Sequence, residues 1–145
     1  MALAAYIVLL VSGEESNTAT VDKIETNITE AVSVKGMKKG TAQDLKKYYG
    51  LNANDYNGIM LYIPDDVMSV NEILVVRVND ENQVETVEAA VEARLAAQKK
   101  NFAGYGVEQT GLLRSAIEES RGYYVLFAVS KDADRIEAAF KKSIH

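Results

Sequence analysis

The stretch "RGYYVLFAVS", residues 121–130, decides the fold class. Every residue from Tyr123 to Val129 is apolar, so an extended chain here has two apolar faces. Such a segment is typical of an interior strand of a sheet. The preceding residues, "RSAIEES" at 114–120, predict the partner strand of a hairpin that turns at Arg121 and Gly122.

A second pair of strands is predicted upstream, in "NDYNGIMLYI" (54–63) and "VNEILVVRVND" (70–80). Pro64 and the two aspartates after it form the turn between them. Strands joined by a short turn pair antiparallel. The two hairpins together predict one antiparallel sheet of four strands.

Four helices are predicted around this sheet. Apolar residues recur at spacings of three and four over Thr20–Val32, over Asn82–Phe102 and over residues 131–144. A shorter helix is predicted from Thr41, which with Asp44 forms a loose capping box, to Gly50. The predicted fold is an α+β domain over residues 18–145, in the order helix, helix, strand, strand, helix, strand, strand, helix.

Two glycine-containing segments are interpreted as breaks between these elements. "VKGMKKG" (34–40) ends the first helix. "NFAGYGVEQTG" (101–111) contains G-x-G, but Gln109 stands where a dinucleotide-binding loop needs its third glycine, and the segment follows a helix instead of a strand. We therefore expect Gly104 to end the long helix and the later glycines to let the chain turn.

Charge and composition exclude several classes of function. The net charge of −5 disfavours nucleic acid as a partner, because binding a phosphate backbone needs a basic surface. The chain has no cysteine, and its one histidine is the terminal His145. Thiolate chemistry is therefore excluded, and a Ser-His-Asp triad or a histidine-rich metal site is disfavoured. No motif indicates a catalytic residue, a metal site or a cofactor.

Residues 1–17 form a separate segment in this interpretation. "ALAAYIVLLV" (2–11) is wholly apolar and is followed at once by the polar stretch "SGEESNTATVD". It is shorter than the about 20 apolar residues that span a bilayer, and no basic residue precedes it. It is either a buried element of the domain or the end of a truncated signal or membrane anchor, and we favour the anchor.

Several motifs resemble one bacterial family. They are "DLKKYYGLN", "NEILVVRV", "ARLAAQKKNFAGYGVEQTGLL" and "RGYYVLFAVS", which together cover roughly residues 20–143. In this combination the chain resembles the domain of unknown function numbered forty-three fifty-eight. The resemblance implies a secreted protein that is membrane-anchored or lipoprotein-like, and it implies no activity. Members often carry a lipid-bearing cysteine near the N-terminus, which this chain does not have.

Five of the residues that match the family form the candidate polar cluster: Glu72, Arg94, Gln98, Tyr105 and Gln109. Glu72 shares a strand face with Leu74 and needs a partner there, because an unpaired carboxylate at the edge of a core is costly. Arg94 lies on the helix that covers this face, so we predict a buried Glu72–Arg94 ion pair with Gln98 nearby. The cluster is either structural or a binding site, and the structural interpretation is favoured.

Three functions remain open at this point. The first is a non-catalytic extracytoplasmic module, associated with the membrane, that binds a protein or small molecule at the cell envelope. The second is a hydrolase with a carboxylate site near Glu72, and the third is a cytoplasmic regulatory protein. A cleft of roughly 300 Å³ or more with Glu72 in its wall favours the enzyme, whereas a dry Glu72–Arg94 pair under the helix favours the module.

Overall fold

A computed structural model describes residues 18–144, which form an α+β fold. The helices are α1 (Val21–Ala31), α2 (Ala42–Tyr49), α3 (Val84–Phe102), α4 (Val107–Arg114) and α5 (Ala133–Ser143). The strands are β1 (Met37–Lys39), β2 (Gly58–Pro64), β3 (Glu72–Arg77), β4 (Ile117–Arg121) and β5 (Tyr124–Val129). The predicted anchor in residues 1–17 and the terminal His145 lie outside the described residues.

The strands form one antiparallel sheet in the order β1-β2-β3-β5-β4. Leu74 of β3 is paired with Leu61 of β2 on one side and with Phe127 of β5 on the other. All six residues of β5 are buried, and β5 lies between β3 and β4. The prediction of an interior strand at this position is confirmed.

Helices cover both faces of the sheet because the central strands are apolar on both sides. Leu74 and Val76 of β3 pack under α2, α3 and α4, whereas Ile73 and Val75 pack under α1 and α5. The period of two along a strand sends neighbouring residues to opposite faces, which explains this division. Two apolar layers result, one on each side of the sheet.

The prediction of four strands is wrong, because β1 adds a fifth at the edge. This strand has three residues and pairs with the last residues of β2, Met37 opposite Pro64. Gly40 follows, and its amide donates to the Leu61 carbonyl at 2.7 Å. A strand of three residues is too short to show a period of two, so the sequence indicated only a helix break.

The expected turn after the long helix is only partly correct. Gly104 and Gly106 have φ values of +84° and +72° and do turn the chain, but Gly111 lies within the additional helix α4. This helix has no side-chain cap, and Leu113 is its only fully buried residue. It therefore lacks the apolar stripe by which a helix is recognised in a sequence.

None of the helices in residues 18–144 combines the length and the apolarity needed to cross a bilayer.

Candidate functional site

The candidate site is built around Glu72, the first residue of β3. Its side chain lies on the same face as Leu74 and is only 1% exposed. Arg94 reaches it from α3 and donates from Nε to Oε2 at 3.0 Å and from Nη2 to Oε1 at 2.8 Å. The predicted ion pair is therefore present, with the two parallel bonds that a guanidinium makes to a carboxylate.

Tyr49 is a third member of this cluster. Its hydroxyl donates to Glu72 Oε2, and its ring packs edge-on against Phe127 with centroids 6.5 Å apart. It is the last residue of α2, a helix that begins with the capping box of Thr41 and Asp44. Burial, then the charge and the hydrogen bond of Glu72, raise the pKa of Tyr49 well above its usual value. The phenol therefore stays protonated and acts as a permanent donor.

The guanidinium of Arg94 lies over the ring of Tyr48, 4.4 Å from its centroid. Lys47 lies 5.3 Å from the same centroid. Burial lowers the pKa of Arg94, but the hydrogen bonds and the charge of Glu72 outweigh that effect and raise it overall. Arg94 is thus a fixed positive charge, held in one orientation by a carboxylate and an aromatic ring.

A cleft of about 440 Å³ opens beside this cluster, between the end of α3 and the loop that joins β2 to β3. Arg94 and Gln98 form part of its wall, and Asp65 and Asp66 lie in the loop that lines it. Glu72 is not part of the wall. Its two carboxylate oxygens are turned instead toward Arg94 and Tyr49, beneath the surface of the cleft.

Amide and aromatic side chains from α3 and the turn after it complete the wall. Asn101 Nδ2 donates to Gln98 Oε1 at 3.3 Å, which orients the buried Gln98 side chain. Tyr105 packs on Phe102 with ring centroids 5.8 Å apart, and more than half of Tyr105 is exposed. The cleft therefore offers hydrogen-bonding groups together with one accessible aromatic ring.

Gln109 lies apart from the other candidates. Its amide nitrogen donates to the carbonyl of Met68 at 2.8 Å, which ties the start of α4 to the β2–β3 loop. In the sequence, Gln109 is one of the five candidates for the polar cluster around Glu72 and Arg94. The structure instead shows that it connects the two segments at the mouth of the cleft.

The structure thus brings Glu72, Arg94, Gln98 and Tyr105 to one cleft, with Glu72 beneath the wall. Tyr49 is not among the residues that the sequence predicts for this cluster. Its position at the end of α2 can be read from the sequence, but its contact with Glu72 cannot, because that contact depends on how α2 packs on the sheet. Asp65 and Asp66, which the sequence places in a turn, line the cleft, and so does Lys38 of β1.

In residues 18–144 no group of three or more histidine, aspartate or glutamate side chains is arranged to hold a metal ion.

A sequence profile matches residues 30–130 of the chain, and it describes the family Domain of unknown function (DUF4358). The chain belongs to this family. All five candidate cluster residues fall within the part that matches DUF4358, whereas α5 lies beyond it. No curated protein and no solved structure matches the chain significantly.

Proposed function

We propose that this DUF4358 protein is a non-catalytic binding module of the bacterial cell envelope, and that the cleft beside Arg94 is its binding site. The observation that carries this proposal is the enclosure of Glu72. The cleft is large enough for a small ligand or a segment of a polypeptide. The only buried carboxylate beside it, among the described residues, has both oxygens engaged by Arg94 and Tyr49.

This arrangement supports binding over hydrolysis for a physical reason. A general acid or base must reach the reacting atom of the substrate within hydrogen-bond distance. Glu72 is 1% exposed and is held by Arg94 and Tyr49, so its carboxylate does not have the access to substrate that this work needs. Asp65 and Asp66 do face the cleft, but both are exposed to solvent on a loop.

The envelope part of the proposal rests on the apolar run at residues 2–11, and the direction of the chain fits an anchor there. The start of α1 lies beside the start of β2. Val21 contacts Gly58, and the Tyr124 hydroxyl donates to the Ala19 carbonyl at 2.9 Å. The cleft lies at the other end of β2, beside Pro64. The two ends of this seven-residue strand are about 20 Å apart. The described chain therefore enters the domain at the end of the sheet opposite the cleft, so an anchor in residues 2–11 would leave the cleft free.

The test of binding is an NMR titration of the ¹⁵N-labelled full chain. The titrant is a soluble cell-envelope extract of the bacterium that encodes the protein. We expect shifts in the amides of residues 65–69 and 98–105. Asn101→Trp, which fills the cleft from its wall, should abolish them, whereas Asn82→Trp at the opposite end of the domain should leave them unchanged. Shifts that persist in Asn101→Trp, or no shifts at all, would contradict the proposal.

Location is tested separately on intact cells. Protease added outside the cells should degrade the protein while a cytoplasmic control protein stays intact. Protection of both proteins until lysis would place the chain inside the cell and favour the cytoplasmic regulator.

A further inference from the structure

Four large apolar side chains are exposed in residues 18–144: two lie in the β2–β3 loop and two lie in the turn before α4 and at the first residue of that helix. Val67 and Val107 are each 91% exposed, and Met68 and Tyr105 are about half exposed. We call these four residues the apolar rim. Exposed apolar side chains that are gathered in one place, and not scattered singly, mark an interaction surface.

The two segments that carry the apolar rim are joined to each other. Val67 and Tyr105 line the same cleft, and Gln109 bonds to the carbonyl of Met68 at 2.8 Å. Gly104 and Gly106, on either side of Tyr105, adopt left-handed conformations that few other residues tolerate. The rim is therefore held by the fold, and a partner does not have to assemble it.

Acidic residues flank the apolar rim on both segments. Asp65 and Asp66 precede Val67, and Glu108 follows Val107, and all three are exposed. The carboxylate of Asp66 accepts a bond from the Met68 amide at 2.7 Å, which holds its charge beside the rim. In the cleft wall the charge of Arg94 is already matched by Glu72, so Lys38 is the one cation there that opposes Asp65 and Asp66. Glu108 lines a neighbouring groove together with Lys35 and Lys131.

We propose that the apolar rim docks a protein partner through an apolar segment with basic residues on both sides. The apolar rim suits apolar side chains of a polypeptide, and methionine and tyrosine are enriched at interfaces between proteins. The exposed carboxylates of Asp65 and Asp66 favour lysine and arginine next to that segment and repel an anionic membrane surface. The inference rests on the proposed function, since it takes the cleft as the binding site and names the class of its partner.

The test uses three fluorescein-labelled octapeptides and fluorescence anisotropy with the full chain. The first peptide has a Leu-Ile-Phe-Leu core with two lysines at each end. The second has the same core with glutamates in place of the lysines. The third keeps the lysines around a Ser-Gly-Ser-Gly core. We expect the first peptide to bind at least about tenfold more tightly than either of the others, because both the core and the flanks contribute.

Matched variants locate the binding on the protein. Val67→Ser combined with Val107→Ser should weaken binding of the first peptide by about tenfold. Asp65→Asn combined with Asp66→Asn should weaken it about threefold at low salt, since two charges are removed while the Met68 amide can still donate to the side-chain oxygen at position 66. Glu81→Gln combined with Glu85→Gln removes the same charge at the far end of the domain and should change nothing.

Three outcomes of the peptide experiment would overturn the inference. They are equal binding of the glutamate-flanked peptide, equal binding of the peptide with the polar core, or binding that the valine substitutions leave unchanged. Rim-dependent binding to phosphatidylglycerol–phosphatidylethanolamine vesicles, without binding to the first peptide, would also overturn it in favour of a membrane. If the peptides fail while the envelope extract still shifts the cleft amides, the proposed function stands and this inference alone fails.

Discussion

Tyr49 and Arg94 donate to the same oxygen of Glu72, Oε2, from two different helices. One buried carboxylate thus joins α2, α3 and the start of β3. The packing of both helices on the sheet is therefore coupled to this charge. Because Arg94 also forms part of the cleft wall, the cluster positions the wall as well as stabilising the fold.

The first prediction concerns the phenol. Tyr49→Phe should lower the free energy of unfolding by about 1.5–3 kcal/mol, because a hydrogen bond to a buried charged group is lost while the ring remains. Urea unfolding measures the change. Tyr105→Phe is the control, since Tyr105 is exposed, and it should stay within about 0.5 kcal/mol of the wild type. Equal effects of the two changes would contradict the role given to Tyr49.

Two glycines predict opposite effects of the same substitution. A Cβ at Gly40 would lie 2.6 Å from the buried side chain of Leu61, so Gly40→Ala should destabilise the fold by about 1–3 kcal/mol. A Cβ at Gly111 meets nothing within 4 Å, and Gly111 lies inside α4. Gly111→Ala should therefore stabilise the fold by up to about 1 kcal/mol. Thermal or urea unfolding of both variants measures the two changes in stability. A stabilising Gly40→Ala or a destabilising Gly111→Ala would contradict this account.

Tyr62 predicts a loss of stability at high pH. Burial, then the hydrogen bond and the charge of Glu25, raise the pKa of Tyr62 to about 12. The hydroxyl donates to Glu25 Oε2 at 2.6 Å. An unfolded tyrosine ionises near about pH 10, so the folded state binds the proton more tightly. The stabilisation is fully present below that pH and is lost as the pH rises toward about 12.

This pH dependence is measured by urea unfolding between about pH 9 and pH 11.5. The stability of the wild type should fall more steeply than that of Tyr62→Phe, which has no proton to lose at this position. Parallel curves for the two proteins would show that the phenol of Tyr62 does not carry the effect.

Four of the five strands and the buried pair could be predicted from the sequence because their signals are local and strong. The unbroken apolar run of β5 and the alternation in β3 each indicate a strand directly. A carboxylate on an apolar strand face demands a partner, and Arg94 lies one position from the stripe of α3. The cleft could not be predicted in this way. Its wall combines Lys38, Asp65 and Arg94, which lie far apart in the sequence and meet only because β1 pairs with β2 while α3 packs over the same face of the sheet.

Hydrogen exchange tests the position of β5 in the sheet. Its amides should be among the slowest to exchange in residues 18–144, because β5 is paired on both sides and all its residues are buried. β1 provides the internal comparison, since it has three residues, two of which are exposed, and lies at the edge. Exchange in β5 as fast as in β1 would be incompatible with the strand order.

The central claim is that Glu72 is a structural partner of Arg94, beneath a binding cleft, and not a catalytic carboxylate. The most direct test is a double-mutant cycle of Glu72→Gln and Arg94→Met, measured by urea unfolding. Arg94→Met should cost about 3 kcal/mol because it strands a carboxylate that is 1% exposed. Glu72→Gln should cost less, because Arg94 lines the cleft and can reach water. Arg94→Lys should recover only part of the loss, since an ammonium group cannot make the two parallel bonds.

The account predicts that the double variant loses clearly less stability than the sum of the two single losses, with a coupling of at least about 1 kcal/mol. Additive losses, or single losses within about 0.5 kcal/mol of the wild type, would contradict it. Glu72 would then be free to act on a ligand.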